Sequence, residues 1–357
     1  MNMHIPERIQ KETAHSSAQS YPARVCGQYT GIYRLLTETG EVLGEISGSL
    51  RYTAADAHDL PVVGDWVLID RQDGEHGNAL ITGVISRKSW IERSSAGSEG
   101  RDVQLLAANI DVIGICMALN RDFNLRRIER YLTLVYNSGA IPLIILTKTD
   151  LSEDPAAQRS AVDQVAFGVD VIETNSRDDG GFDQILPYLT GDRTIAFIGS
   201  SGVGKSTLIN HLLESDAAEV KEVRSDGKGR HTTTARELFI LPGGTSLIDT
   251  PGLRELQLSG ESGLEGSFSD IESLAASCRF SDCTHSVEPG CAIREAISAG
   301  KLDEKRFENY VKMKHELSYI GLNSRQRENR KLKRMFKDYG SLKEVRDYIK
   351  SMDKRNR

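Results

Sequence analysis

Gly199-Ser-Ser-Gly-Val-Gly-Lys-Ser206 decides the fold, and Thr147-Lys-Thr-Asp150, which lies upstream of it, decides the topology. The first stretch fits G-x-x-x-x-G-K-[ST]. Its glycines let the backbone bend so that successive N–H groups face phosphate oxygens, and the helix that follows adds its N-terminal dipole. Residues 193–198 read as the strand before it and residues 206–214 as the helix after it. The pattern assigns Gly199, Ser200, Ser201, Gly202, Val203, Gly204, Lys205, Ser206 and Thr207 to nucleotide binding. Lys205 is expected to bridge the β- and γ-phosphates and Ser206 to offer its hydroxyl to Mg²⁺. Asp249-Thr-Pro-Gly252 then follows a short apolar strand and fits D-x-x-G. Asp249 is expected to hold Mg²⁺ through water, and the Gly252 N–H to meet the γ-phosphate.

The base-reading element should follow these two, but no N/T-K-x-D lies downstream. Thr147, Lys148, Thr149 and Asp150 supply it upstream, at the end of the apolar run Ile141-Pro-Leu-Ile-Ile-Leu146. A carboxylate at Asp150 accepts from the guanine ring N–H and exocyclic amine, a donor pair that adenine lacks. Lys148 can lay its aliphatic stem across the base. Thr147 stands where asparagine is commoner, and its shorter side chain is expected to forgo a bond to the neighbouring loop. Ser176, after the next strand, is the candidate for a base-contacting backbone N–H. A base-reading half placed ahead of the phosphate-reading half is a circular permutation. Strands alternating with helices over residues 99–256 imply a mainly parallel sheet with helices on both faces.

Working outward from that centre, residues 26–98 carry short strand-like runs separated by Gly, Asp and Asn, which suits an OB-type β-barrel. Trp66 and Trp90 fit packing roles better than a base-stacking platform. Residues 1–25 are polar and read as a flexible arm, without the apolar core of a signal segment. Residues 257–357 are polar and helix-prone, with a tail rich in Arg and Lys beyond residue 324. The fold class is therefore multidomain α/β: barrel, permuted nucleotide domain, helical domain. At 357 residues the chain can hold these three cores. With 39% hydrophobic and 27% charged residues, and no apolar run near the ~20 that a membrane helix needs, a cytoplasmic monomer with no membrane contact is expected. A net charge of −6 argues against a dedicated polyanion binder, yet the basic tail could touch one locally or simply be a solvated helix face.

Cys278-x4-Cys283-x-His285-x5-Cys291 gathers three thiols and one imidazole within 14 residues. A filled Cys3His set suits one structural zinc per chain, with no open position for catalysis. Cys116, in an apolar strand pattern, reads as an inert core thiol.

Between the phosphate loop and Asp249 lies Gly229-Arg-His-Thr-Thr-Thr234. Thr233 or Thr234 is expected to complete the Mg²⁺ shell, and the residues do not choose between them. Leu253 follows Gly252 where many GTPases place a glutamine that orients the attacking water. His231 is the candidate for that catalytic task. It could equally be a loop histidine that contacts RNA or nothing.

These residues together resemble one family, the bacterial small-ribosomal-subunit biogenesis GTPases (RsgA family). The resemblance spans about residues 26–321. It rests on Pro61-Val-Val-Gly-Asp-Trp66, Phe123-Asn-Leu-Arg126, the phosphate loop, Gly229–Thr234, Asp249–Gly252 and the cysteine–histidine spacing. It implies GTP hydrolysis to GDP, stimulated by the 30S ribosomal subunit, with 16S rRNA contacts late in 30S maturation. It also implies a hydrophobic residue in place of the catalytic glutamine, matched by Leu253, and a switch histidine, matched by His231. Nothing is carried onto the tail beyond about residue 330. An RNA scaffold that holds GTP with negligible turnover, a GTPase with a non-ribosomal partner, and a P-loop kinase or ATPase are the competing readings; Asp150 argues against the last.

Overall fold

The computed structural model describes residues 4–14, 20–74, 77–94, 103–178, 180–214, 236–241, 243–249 and 262–319, with residues 326 and 329. Among these, no helix is long and apolar enough to cross a membrane. The chain opens with helix α1 (Glu7–Thr13), followed by strands β1 (Tyr21–Gln28), β2 (Tyr33–Leu36) and β3 (Glu41–Ile46). Helix α2 (Gly48–Thr53) and strands β4 (Trp66–Ile69) and β5 (Ala79–Val84) complete this part. Strand β1 pairs with β2, β2 with β3, β3 in parallel with β5, β5 with β4, and β4 again with β1. That circuit closes a five-stranded barrel of the expected OB type. Alternation makes it possible: in β3, Val42 and Gly44 point inward while Glu41, Leu43 and Glu45 face solvent. Val25, Leu35, Val67, Ile69 and Ile81 fill the interior.

The flexible arm expected over residues 1–25 is corrected here. Ile5, just before α1, and Ile9 within it are buried against Cys26, Leu36, Trp66 and Ile85. Residues 21–25 belong to the first barrel strand. These two apolar side chains dock the segment together with Arg8, which donates to the Ser86 carbonyl at 2.8 Å. Trp66 is a packing residue, 4% exposed with the Arg24 guanidinium over its ring, and Trp90 lies at the rim with its ring edge-on to His58.

Among the described residues, strands β6 (Trp90–Ser94) and β7 (Val103–Ala108) pair only with each other, and the boundary expected at residue 98/99 falls between these two paired strands. The nucleotide domain continues with β8 (Val112–Ala118), α3 (Leu125–Ser138), β9 (Ile141–Thr147), α4 (Pro155–Asp163) and β10 (Asp170–Thr174). Then come β11 (Thr194–Ile198), α5 (Lys205–Glu214), β12 (Arg236–Ile240) and β13 (Ser246–Asp249). The sheet order is β10-β9-β8-β11-β13-β12, with β12 the antiparallel member, and it runs on through β1 into the barrel. Helix α4 starts at Pro155. Asp154 caps it by accepting from Ala157 N, and proline fits the first turn, where its missing N–H costs nothing. A short 3₁₀ turn covers Asp183–Tyr188.

Helices α6 (Ser262–Ser267), α7 (Ser269–Ala276), α8 (Ala292–Ser298) and α9 (Glu304–Leu317) make up the described part of the helical domain. They do not form a separate core. Phe268, Ile271, Ile293, Phe307 and Tyr310 join one apolar cluster with Ile128, Leu132 and Val135 of α3. A Cβ on Gly263 would lie 2.1 Å from the Thr133 carbonyl, so glycine is what lets α6 sit directly on α3. Asn137 Oδ1 accepts from Gly263 N, and Thr133 Oγ1 donates to Ser267 Oγ. Beneath this lies a buried ionic cluster. Glu129, fully buried, takes Arg306 at 2.7 Å, Arg126 at 2.6 Å and the Asn309 amide at 2.6 Å. Arg306 also reaches Asp270 at 2.8 Å and the Ser267 carbonyl.

Candidate nucleotide site and metal centre

Five parallel strands end together, and their ends carry the site. Thr174 of β10 lies opposite Thr147 of β9, Thr147 opposite Ala118 of β8, and Ile115 of β8 opposite Ile198 of β11. Strand β13 runs parallel beside β11 and ends at Asp249. The base-reading stretch, the phosphate loop and Asp249 therefore open on one edge, the carboxyl edge where α/β sheets bind ligands. The permutation changes the order of the strands in the chain and leaves this edge intact.

In the phosphate loop, Gly199 has φ +145°, and a Cβ there would lie 2.5 Å from the Cys116 carbonyl. Only glycine lets β11 turn at that point. Lys205, 9% exposed, donates from Nζ to the carbonyls of Gly199 and Ser200, each at 2.6 Å. Ser201, Gly202, Ser206 and Thr207 are exposed, Gly204 is half-buried, and Val203 is buried. Asp249 is exposed at its strand end.

Two bonds tie the base-reading stretch to the phosphate loop. Lys148, in the left-handed conformation with φ +56°, donates from Nζ to the Gly202 carbonyl at 2.6 Å. Such a backbone costs a non-glycine residue free energy and is held only where the surroundings insist on it. Thr147 donates its hydroxyl to the Val203 carbonyl at 2.5 Å and is buried. The expectation that threonine forgoes a loop bond is thus overturned: the hydroxyl spans a gap already closed by the two loops' approach. Thr149 begins a 3₁₀ turn that carries Asp150. The Asp150 carboxylate faces Arg177 Nη1 at 3.0 Å. Ser176 is exposed on that same loop, whose shape is fixed by Asn175 accepting from Arg177 N and donating to Asp178. His231, Thr233, Thr234, Gly252 and Leu253 lie outside the described residues. Arg177 was not singled out from sequence; its place one residue beyond Ser176 was the available signal.

The second site is the cysteine–histidine cluster. Its four ligand atoms lie within 4.8 Å of one another. His285 Nδ1 is 3.5 Å from Cys278 Sγ and 3.6 Å from Cys291 Sγ, and the two sulfurs are 4.0 Å apart. A tetrahedral zinc with ordinary bond lengths needs roughly 3.5 Å between sulfur and nitrogen and roughly 3.8 Å between sulfurs. The donors therefore fit a metal ion of that size. His285 is held at φ +59°, and burial, then the nearby Lys314, lowers its pKa, keeping the imidazole neutral as a ligand must be. Burial, reinforced by the neighbouring thiols, pushes Cys283 up to about 11. Burial opposes ionisation of Cys278 as well, but the amides of Ala292 and Ile293 bring it below its ordinary value. A dication would ionise the three thiols. Cys116, by contrast, is fully buried, and burial takes it to about 12, in keeping with an inert thiol.

The sequence pattern of the RsgA GTPase family matches residues 84–259. A Lactiplantibacillus plantarum protein named small ribosomal subunit biogenesis GTPase RsgA 2 is 46% identical over 325 residues, covering 90% of this chain and 91% of that one. Among solved structures, YjeQ from Thermotoga maritima superposes with a TM-score of 0.63 at 25% identity, over 84% of this chain and 98% of that one. YloQ, described as a circularly permuted GTPase, gives 0.61 at 26% identity, over 85% and 97%.

Proposed function

This chain belongs to the RsgA GTPase family, and from that premise we propose that it hydrolyses GTP on the carboxyl edge of its permuted sheet while bound to the small ribosomal subunit. The observation that carries the reading is the pair of bonds from Thr147 and Lys148 into the phosphate loop. They hold the base-reading and phosphate-reading elements as one unit although the chain presents them in reverse order.

In this reading Asp150 exchanges Arg177 for the guanine donors, Lys148 lies against the base, and Ser176 offers its N–H. The amides of residues 199–207 receive the phosphates, and Lys205 turns from the loop carbonyls to the β- and γ-oxygens. Ser206, Asp249 and one of Thr233 and Thr234 would hold Mg²⁺, which when bound neutralises charge on the phosphate oxygens. Gly252 contacts the γ-phosphate. His231 orients the water that Leu253 cannot. Zinc on Cys278, Cys283, His285 and Cys291 ties α7 to α8. The protein acts as a cytoplasmic monomer, and its nucleotide state sets the relative pose of two modules, the barrel and the helical domain, on 16S rRNA. The division at residues 25, 98 and 256 is the working domain map, adjusted for β1 and the β6–β7 pair.

The test is turnover of GTP and of ATP by the full chain alone, with 30S subunits and with 50S subunits. GTP-specific turnover raised only by 30S is expected. Equal, slow GTP turnover in all three would favour the scaffold reading, which Leu253 makes the chief rival. Equal use of ATP would sink the role given to Asp150.

A further inference from the structure

Helix α3 carries three arginines and α9, packed on it, a fourth, and three of these four guanidinium groups meet a carboxylate. Arg126 pairs with Glu129 and Asp303, Arg130 holds Glu316 through two bonds at 2.7 and 2.8 Å, and Arg306 holds Glu129 and Asp270. Arg127 differs. Among the described residues it meets no carboxylate. Its Nη1 donates to Ser200 Oγ at 2.9 Å and, more weakly, to the Asp122 carbonyl at 3.5 Å. A half-buried guanidinium loses hydration and normally recovers it from an anion. Here both acceptors are neutral.

The address of that contact is specific. Ser200 is the second residue of the phosphate loop, and its carbonyl already accepts from Lys205 Nζ at 2.6 Å. One serine thus carries two cations, one on its carbonyl and one on its hydroxyl. We propose that Arg127 is the second cation of the phosphate site, an arginine supplied in cis that leaves Ser200 for the terminal phosphate of bound GTP; this rests on the GTPase reading above. In hydrolysis the water oxygen bonds to the γ-phosphorus. The bond to the β–γ bridging oxygen breaks, with its electron pair staying on GDP. The proton lost by water ends on inorganic phosphate or in bulk water. Negative charge grows at the γ-oxygens and the bridge, where a planar, permanently charged donor is most effective. Arg127 stays protonated throughout and supplies charge and orientation only.

The experiment uses the full chain with Arg127→Gln and Arg127→Lys, in single-turnover GTP hydrolysis with 30S present, alongside affinities for GDP and for GDP–aluminium fluoride. The Gln variant should lose about 100-fold in kcat, the scale of one removed transition-state donor, with KM and GDP affinity within about threefold. Affinity for GDP–aluminium fluoride should fall by about the same factor as kcat, and Lys should recover part of both. An unchanged kcat overturns the inference. So does an equal loss of GDP and GDP–aluminium fluoride affinity, which would make Arg127 a clamp on the loop. If the wild-type chain neither binds nor hydrolyses GTP, the GTPase reading itself fails and takes this inference with it.

Discussion

The barrel and the helical domain are joined to the nucleotide domain by seams of opposite kind. The barrel has its own apolar interior and meets the nucleotide domain through two sheet pairs, Gly27 with Glu237 and Gln28 with Arg236, and a small apolar contact in which Ile240 packs on the cluster of Cys26, Leu36 and Trp66 while Val63 enters the nucleotide-domain core. Around them are polar contacts: Arg24 donates to Thr194 and Tyr29 to Glu237. The helical domain shares a core with α3 and is fastened by the buried cluster of Glu129, Arg306, Asp270 and Arg126. A short sheet seam with only a few apolar contacts across it can flex while most of each core stays packed. A shared core cannot. The helical domain therefore moves with α3, and α3 also carries Arg127 to the phosphate loop.

Metal removal should give the largest effect and the clearest contrast. Both tryptophans, Trp66 in the barrel and Trp90 in β6, lie outside the helical domain, so their fluorescence does not report its helices directly. Chelation, or Cys283→Ser, is expected to cost the helical domain several kcal/mol, less than the roughly 10–16 kcal/mol of an isolated zinc finger because α3 packing persists. Helical ellipticity should fall while tryptophan emission holds. A parallel change in emission would mean the two seams are not independent.

Next in size is Arg306→Met. It leaves Glu129 and Asp270 short of a buried partner and should cost about 3–5 kcal/mol. Thermal melts read the loss, and a cycle with Glu129→Gln should show that the two changes cost less together than their sum. A cost under about 1 kcal/mol would show that apolar packing alone fastens the domain.

Smallest is Arg24→Met in the barrel seam. Burial lowers Arg24 to about 10, and its Nε has no hydrogen-bond partner among the described residues. Methionine gives up the Thr194 bond and the Trp66 contact but also the desolvation cost, so stability should change by no more than about 1 kcal/mol. A loss above about 3 kcal/mol in a chemical-denaturation midpoint would make the barrel seam as rigid as the other.

What the sequence disclosed follows from how local each signal is. The phosphate loop, the permuted order and the metal ligands lie in short stretches whose chemistry fixes their spacing, and the barrel strands announced themselves by alternation. The Pro155 start of α4 is also locally written, by Asp154 and the proline itself. Other features depend on partners far along the chain. Glu129 and Arg306 are 177 positions apart and Arg127 and Ser200 are 73, so nothing in either neighbourhood pairs them. The apolar docking of α1 and the residues before it rests on Ile5 and Ile9, too few residues to set a period, and Arg8 adds a bond to the distant Ser86 carbonyl. Thr147 was misjudged because the approach of the phosphate loop, which makes a short side chain sufficient, is a tertiary fact.

The most direct test of the coupled seam is amide hydrogen exchange on the full chain, comparing GDP with a non-hydrolysable GTP analogue. The account predicts that protection changes together across α3 and α6 to α9, while the core strands β1 to β5 keep theirs. A change in α6 to α9 without α3, or one confined to the barrel strands, would contradict it.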